Sequence, residues 1–238
     1  MAPVIGWLKN RRLGAPAPAW TAFLASLVLS AIAVGGSSVL NRDGMLYVDA
    51  ARTFLADGYP ALLGSFDWPL LPMLIAGLGS LTGIPLETAG HVIDSLLLAG
   101  ACAVMVDLVR RHRPEDAALA WTVCLVVLAM PGYNGYRDQL LREHGYWFFT
   151  VLAFWLALRW ERAGCRWREA LPCQLALVAA MLFRFEAVVF FLALVAWQAA
   201  TAPAGERVRR VVRVAALPLT AMLLLVLLAA AGLIDSPA

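Results

Sequence analysis

The chain has 238 residues and a mean hydropathy of +0.76, with 62% hydrophobic and only 15% charged residues. Soluble domains carry about 25% charged residues, so the composition argues against an ordinary soluble domain and indicates an all-α polytopic membrane protein. The net charge of +3 is small and the basic residues are spread among short loops, which does not indicate a nucleic-acid partner.

Seven apolar segments are predicted to cross the membrane within a single transmembrane domain, residues 1–238. Several of them approach or exceed the ~20 residues that a helix needs to cross the hydrocarbon core. In chain order they are 20–40, 87–109, 117–130, 146–158, 171–183, 186–197 and 214–233. Residues 69–81 are also apolar, but they are few and include Gly and Pro, so we expect them to lie in the outer interface.

Four blocks of basic residues predict the orientation, because Lys and Arg are enriched in cytoplasmic loops. The blocks are Lys9, Arg11 and Arg12; Arg110, Arg111 and Arg113; Arg159, Arg162, Arg166 and Arg168; and Arg207, Arg209, Arg210 and Arg213. The N-terminus is then cytoplasmic. The first outer loop (41–83), the second outer loop (131–145) and the tail after Leu233 lie outside. Residues 170–200 lie between two cytoplasmic blocks, so we expect two short helices with a polar apex at the outer face.

The first outer loop is predicted to begin with an amphipathic helix over residues 43–58, lying along the membrane surface. Its apolar stripe comprises Leu46, Tyr47, Ala50, Ala51, Phe54 and Leu55. Asp43 stands at the start, where a carboxylate can cap the helix and complement its dipole. It is equally placed to act as a general base, and the two roles are compatible. Tyr47 follows one turn later on the same face.

The second outer loop is denser in polar and aromatic residues than a short connection requires. Asp138 and Arg142 are four residues apart and would face together on a helix. The guanidinium groups of Arg137 and Arg142 suit phosphate oxygens. A solvated loop with a surface ion pair and an aromatic belt is the alternative. His144 receives no role.

Arg184 and Glu186 form the third polar element, near the middle of residues 170–200. Ionisable residues inside a membrane are costly and mark either a site or an internal pair. A spacing of two does not put them on one helical face, so we expect a helix break or separate partners instead of a mutual pair on a helix surface. Asp43, Asp138, Arg142 and the Arg184 apex all reach the outer side. Such a site suits an anionic lipid-phosphate donor.

These polar elements resemble those of the membrane-embedded GT-C glycosyltransferases, particularly the bacterial branch related to protein O-mannosyltransferases and aminoarabinose transferases. The resemblance runs from about Trp20 to Trp197. It rests on Arg42-Asp43-Gly44 with Tyr47, Asp67-Trp68-Pro69-Leu70-Leu71-Pro72, Tyr136-Arg137-Asp138, Arg142-Glu143-His144-Gly145-Tyr146-Trp147 and Phe183-Arg184-Phe185-Glu186.

The resemblance implies inverting transfer of a sugar from a polyprenyl-phosphate-linked donor to a lipid, glycan or protein acceptor. The reaction would occur at the outer face of a bacterial inner membrane. Asp43 matches the first-loop catalytic acid, and Asp138 the second-loop acid that assists the site or helps to hold a divalent metal. Arg142 and Arg184 are implied as ligands of the lipid phosphate. The remaining substrate-binding positions are Arg42, Tyr47, Arg137, Glu143 and Glu186.

Two further functions compete with the transferase. GT-C members usually continue past the seventh span, so the chain is expected to be a truncated form, a minimal module or one half of a complex with an additional subunit. A non-catalytic GT-C-like subunit that binds lipid or a partner is therefore the main alternative. A small transporter or flippase ranks last, because transporters often contain two related halves and no internal repeat is visible.

Cofactors are not required by any sequence pattern, although the resemblance allows a divalent metal. Cys102, Cys124, Cys165 and Cys173 show no CxxC spacing and no paired histidine ligands. We therefore expect small core residues or free thiols instead of a disulfide framework or a zinc site.

Overall fold

The computed structural model describes residues 17–230, which form ten helices and no β-strand. The helices are α1 (Pro18–Gly36), α2 (Arg42–Ser65), α3 (Leu70–Thr82), α4 (Leu86–His112), α5 (Ala117–Ala129), α6 (Pro131–Asn134), α7 (Arg142–Arg162), α8 (Trp167–Phe183), α9 (Ala187–Thr201) and α10 (Arg207–Ala230). The predicted all-α class is therefore confirmed. The first basic block, Lys9, Arg11 and Arg12, and the tail after Leu233 lie outside the described residues.

Two helices, α1 and α4, are long and apolar enough to cross a membrane, whereas α3, α5 and α9 are apolar but shorter. The described residues thus contain two candidate spans where the sequence predicted seven. Helices of this length and composition also occur in the cores of soluble proteins. They are compatible with membrane association and do not fix a number of crossings.

Helix α4 is the centre of the packing, because α1, α3, α5 and α7 all contact it. Small residues allow the close approach of α7: a Cβ atom at Gly100 would lie 2.7 Å from the ring of Phe148. Ala99, Ala101 and Cys102 are also fully buried here. Close contact over small residues is the means by which helices in a membrane gain packing energy. All four cysteines are buried and free, as predicted.

Helix breaks fall where the sequence predicted them. Gly58 has φ 82° and ψ −173°, so it interrupts α2 at the predicted end of the amphipathic helix, and the chain resumes as a short helical segment. Helix α8 ends at Phe183 and α9 begins at Ala187, which confirms two short helices on either side of Arg184–Glu186.

The buried face of α2 is rotated from the predicted stripe. Tyr47, Ala50 and Ala51 are buried as expected, but Leu46 and Leu55 are half exposed. The reason is Gly44, which is buried because Leu140 packs directly against it; a Cβ atom there would lie 3.0 Å from Leu140 Cβ. Contact with the second outer loop thus sets the orientation of α2.

The region of the outer loops has an apolar core of its own. Its members come from α2, α3, α4, the second outer loop and the end of α8: Tyr47, Val48, Ala51, Leu71, Ile75, Ala76, Ala89, Leu140 and Phe183. This cluster fixes the first turns of α2 and α7 relative to the turn between α8 and α9.

Candidate functional site

Three of the predicted polar elements converge at one place in the fold. Asp43 lies in the first turn of α2 and Tyr47 in its second turn, and the first turn of α7 supplies Arg142 and Glu143. The turn between α8 and α9 supplies an arginine and a glutamate that follow Phe183. An ion pair from α7 to that turn, and a cluster of charges around Tyr47, hold the elements together.

Arg184 is bound by two carboxylates. Its guanidinium pairs with Glu143 of α7, and it also donates hydrogen bonds to both oxygens of Glu186, at 3.2 and 2.5 Å. These hydrogen bonds from Arg184 lower the pKa of Glu186 to about 2, and they raise that of Arg184 above its usual value. The helix break that the sequence predicted here is present, and the two residues pair with each other within the break and not on a helix surface. Arg184 is extended (φ −150°, ψ 130°) and lies outside any helix, so the helical spacing rule does not apply to it.

Arg142 is the cation of this site that has no carboxylate partner among residues 17–230. Its guanidinium lies over the ring of Trp68, 5.1 Å from the ring centroid, in a cation–π contact, and it is also close to the Tyr47 hydroxyl. The Nε and Nη1 atoms are buried and form no hydrogen bond within the described residues. Buried donors without partners are costly, so this side chain is suited to a polar ligand.

Tyr47 lies between the charged groups. The residue is 4% exposed, and its ring packs edge-on against Phe66, 5.6 Å away. Burial raises the pKa of the Tyr47 hydroxyl; Arg142 beside it lowers that pKa, and the charges of Asp43 and Glu143 raise it. The net pKa lies above the ordinary value of 10.0, so the hydroxyl stays neutral and can donate a hydrogen bond.

Asp43 is not the N-cap of α2. That position belongs to Asn41, whose side chain instead exchanges two hydrogen bonds with the backbone of Leu140, at 3.2 and 2.9 Å. Asp43 lies in the first turn of the helix, where the helix dipole favours its charge. Its carboxylate is exposed and accepts no hydrogen bond from residues 17–230. It is therefore free to accept a proton from a ligand.

Asp138 and Arg142 do not share a helix. Asp138 lies in the turn after α6, whereas Arg142 is the first residue of α7. Asp138 is close to His91 of α4. The chain turns between positions 134 and 142, so Asp138 and Arg142 do not face together on one helix as predicted.

Arg137 is committed to the protein interior. It is 4% exposed, and its Nη1 donates to Ser26 Oγ at 2.9 Å, to Ser30 Oγ at 3.0 Å and to the Ser26 carbonyl at 3.0 Å. Its Nε donates to Asn134 at 2.7 Å. These bonds anchor the second outer loop to α1. The Nη2 atom forms no hydrogen bond within the described residues, but the side chain is buried against α1, which does not support the predicted contact with a phosphate donor.

Arg42 faces away from Tyr47. It is exposed and lines a shallow groove of about 390 Å³ with Met45, Leu46 and Arg52 on the exposed face of α2. Residues 42, 45, 46, 49 and 52 share this face by helical periodicity, whereas Tyr47 belongs to the buried one. Arg42 is therefore separate from the site around Arg142.

A buried polar contact next to the site was not predicted from the sequence. Asp94 of α4 is 3% exposed; its carboxylate accepts a 2.7 Å hydrogen bond from the Leu141 N–H, and His144 Nδ1 lies 3.1 Å from the same oxygen. These contacts fix the start of α7, and hence Arg142 and Glu143. The signal that could have found it is an acid in the middle of an apolar helix, which needs a buried partner.

No metal site accompanies these residues. Within the described ranges, no group of three or more His, Cys, Asp or Glu side chains is arranged to hold a metal ion. The divalent metal that the family resemblance allows therefore has no ligand set among residues 17–230.

Comparisons of the chain with protein-family models, with curated proteins and with solved structures find no match.

Proposed function

We propose that the chain is a membrane glycosyltransferase of the GT-C type, which moves a sugar from a polyprenyl-phosphate-linked donor to a lipid, glycan or protein acceptor at the outer face of a bacterial inner membrane. The observation that carries the proposal is the convergence of Asp43, Tyr47, Arg142 and Trp68 at one end of the helical bundle. The carboxylate can act as a base toward an acceptor hydroxyl, and the guanidinium can donate to a phosphate.

Membrane embedding is supported by the exposed side chains. Helix α1 presents Trp20, Leu24, Val28 and Ile32 as an exposed apolar stripe at a spacing of four, while Ser26 and Ser30 face inward. A continuous apolar stripe on the outside of a bundle fits contact with lipid. Seven crossings remain part of the proposal, with the N-terminus in the cytoplasm.

Helix α7 supports an arrangement in which its two ends lie at opposite faces of the membrane. Its first turn carries Glu143 and its last turn carries Arg162, and residues 145–158 between them contain no charged side chain. At 1.5 Å per residue the two ends are about 28 Å apart, close to the ~30 Å thickness of the hydrocarbon core. The site around Arg142 then lies at the outer interface, and the second and third basic blocks lie at the opposite one.

The proposed reaction uses each group at a stated atom. The Asp43 carboxylate takes the proton from the acceptor hydroxyl, whose oxygen attacks the anomeric carbon of the donor sugar. The bond from that carbon to the polyprenyl-phosphate oxygen breaks, and the leaving phosphate gains a negative charge. Arg142 stabilises this charge with its free Nε and Nη1 donors, and the neutral Tyr47 hydroxyl donates beside it.

The first experiment tests Asp43. Release of polyprenyl phosphate from polyprenyl-phosphate-linked sugars is measured in membranes that contain the chain and a panel of acceptors. Asp43→Asn keeps the size of the side chain but removes the base, and we expect turnover to fall by at least ~100-fold. Retained turnover would exclude the role of Asp43. Asp49→Asn, an exposed acid on the other face of α2, is the matched control and should keep activity.

The second experiment tests Arg142 through binding. We expect Arg142→Gln to weaken binding of polyprenyl phosphate at least tenfold, because it removes the charge but keeps an amide donor. Arg42→Gln removes the same charge from the other face of α2 and should change binding less than twofold. Equal losses in the two variants would mean that the general positive surface, and not the site, binds the phosphate.

A non-catalytic lipid-binding or partner subunit is the second candidate function. The observation that favours it is that only one of the two predicted phosphate ligands, Arg142, lacks a carboxylate partner among residues 17–230. Arg184, the other predicted phosphate ligand, is already neutralised by Glu143 and Glu186. Binding of polyprenyl phosphate without turnover on any tested donor, dependent on Arg142, would favour this function.

A further inference from the structure

A second arginine cluster lies at the far end of α4 and α7, away from the site described above. The last turns of the two helices meet there around Trp155 and enclose a pocket of about 80 Å³. Its lining consists of Leu108, Arg111, Trp155, Leu158, Arg159 and Arg162. The volume exceeds the ~10–15 Å³ that one water needs and is far below the ~300–1,000 Å³ of pockets for larger ligands. A group of about the size of a phosphate fits it.

Both carboxylate oxygens of Asp107, next to the pocket, already accept hydrogen bonds. Asp107 accepts two hydrogen bonds from Arg110 on one oxygen, and on the other it accepts from Arg111 Nε at 2.5 Å and Trp155 Nε1 at 2.9 Å. The neighbouring Glu161 accepts a hydrogen bond from Gln198 of α9 and does not line the pocket. No carboxylate is therefore among the lining residues of the pocket.

Guanidinium donors remain unused in the pocket. Arg111 binds Asp107 through Nε only, and Arg162 donates one bond, from Nη2 to the Arg111 carbonyl. The Arg159 side chain has no hydrogen bond or ion pair within residues 17–230. The two helix C-termini contribute roughly half a negative charge each, whereas four guanidinium groups face the one carboxylate of Asp107. The pocket therefore stays positive.

Trp155 holds the donors in position. The guanidinium carbons of Arg111 and Arg159 lie 5.1 and 5.8 Å from its ring centroid. Stacking of this kind reduces the entropy that each arginine loses when it binds an anion. Leu108 and Leu158 add an apolar wall, which a free ion does not need but the glycerol and acyl region of a phospholipid would contact.

We propose that this pocket binds the phosphate group of an anionic phospholipid in the leaflet opposite the transferase site. Basic pockets between helices on the cytoplasmic side are where acidic headgroups bind. Arg111, Arg159 and Arg162 supply the donors, and Trp155 sits at headgroup level. The inference depends on membrane embedding but not on the transferase activity, so each can fail without the other.

The test measures the thermal stability of the full chain in neutral detergent. Phosphatidylglycerol, phosphatidylcholine or inorganic phosphate is titrated in separate arms. We expect phosphatidylglycerol to raise the unfolding temperature and phosphatidylcholine to raise it much less. The double variant Arg159→Gln/Arg162→Gln should need at least tenfold more phosphatidylglycerol for half of the effect. Arg159→Gln alone, which breaks no hydrogen bond to the protein, should need severalfold more.

The control is Arg166→Gln/Arg168→Gln, which removes two exposed charges of the same basic block that do not line the pocket. It should shift the titration less than twofold. Equal shifts in both double variants, or no stabilisation by phosphatidylglycerol, would overturn the proposal. The same protection by inorganic phosphate, with no preference for the lipid, would overturn the lipid as its source and assign the pocket to the free ion.

Discussion

Replacement of Gly145 by Ala tests whether the site is assembled by contact between α7 and the end of α8. A Cβ atom at Gly145 would overlap three ring carbons of Phe183. Phe183 is 1% exposed and stacked on Phe149 at 5.7 Å, so its ring has no free space into which it could move. The substitution must therefore displace the end of α8, and with it Arg184 from its partner Glu143.

The cost follows from the packing. Forcing an extra methyl group into a filled core costs about 1–3 kcal/mol, and the higher helix propensity of Ala offsets up to about 1 kcal/mol of this. We therefore expect Gly145→Ala to lower the free energy of unfolding by about 1–2 kcal/mol. For a chain of this length that lowers the unfolding temperature by roughly 2–8 °C, measured in neutral detergent micelles. Binding of polyprenyl phosphate should weaken with it.

Gly77→Ala in α3 is the matched control, because a Cβ atom there has nothing within 4 Å. It should stabilise the chain by about 0.5–1 kcal/mol through helix propensity alone. Gly145→Ala combined with Phe183→Leu should recover part of the loss, since the smaller side chain makes room. A Gly145→Ala variant as stable as the wild type would refute the close contact of α7 with α8.

Two other predictions concern the charges that position the site. Glu186 has its pKa lowered from 4.5 to about 2 by Arg184, so its stabilising effect is present above the unfolded value and lost as the pH falls from 4.5 to about 2. Because 55% of its side chain is exposed, screening limits the effect to about 0.5–1 kcal/mol. The difference in unfolding temperature between the wild type and Glu186→Gln should therefore be present at pH 7 and vanish near pH 2. Asp94→Ala should cost about 1–3 kcal/mol, because it leaves the buried Leu141 N–H without an acceptor. Asp94→Asn keeps an acceptor oxygen and should cost less in the same unfolding assay; equal costs would contradict the role of this hydrogen bond.

Arg184 and Arg137 mark the limits of prediction for the site. The helix break at Arg184 was predictable, because two ionisable residues interrupt an apolar segment of about 30 residues. The partner Glu143, 41 positions earlier, was not. Arg137 resembled a phosphate ligand as a residue of a polar loop, but its bonds to α1 reach 111 positions back along the chain. Nothing in the local sequence pattern distinguishes an arginine that is available to a ligand from one that is hydrogen-bonded to another helix.

The sequence by itself determined the helical class, the approximate bounds of the helices and the break between α8 and α9. These depend on hydropathy, on breaker residues and on a periodicity of 3.6, all of which act over a few turns of one helix. Only the tertiary structure decided that Arg142 has no carboxylate partner among residues 17–230 and that Arg184 is neutralised. The availability of a charge depends on its nearest neighbours in space, and in a helical bundle those neighbours come from other helices.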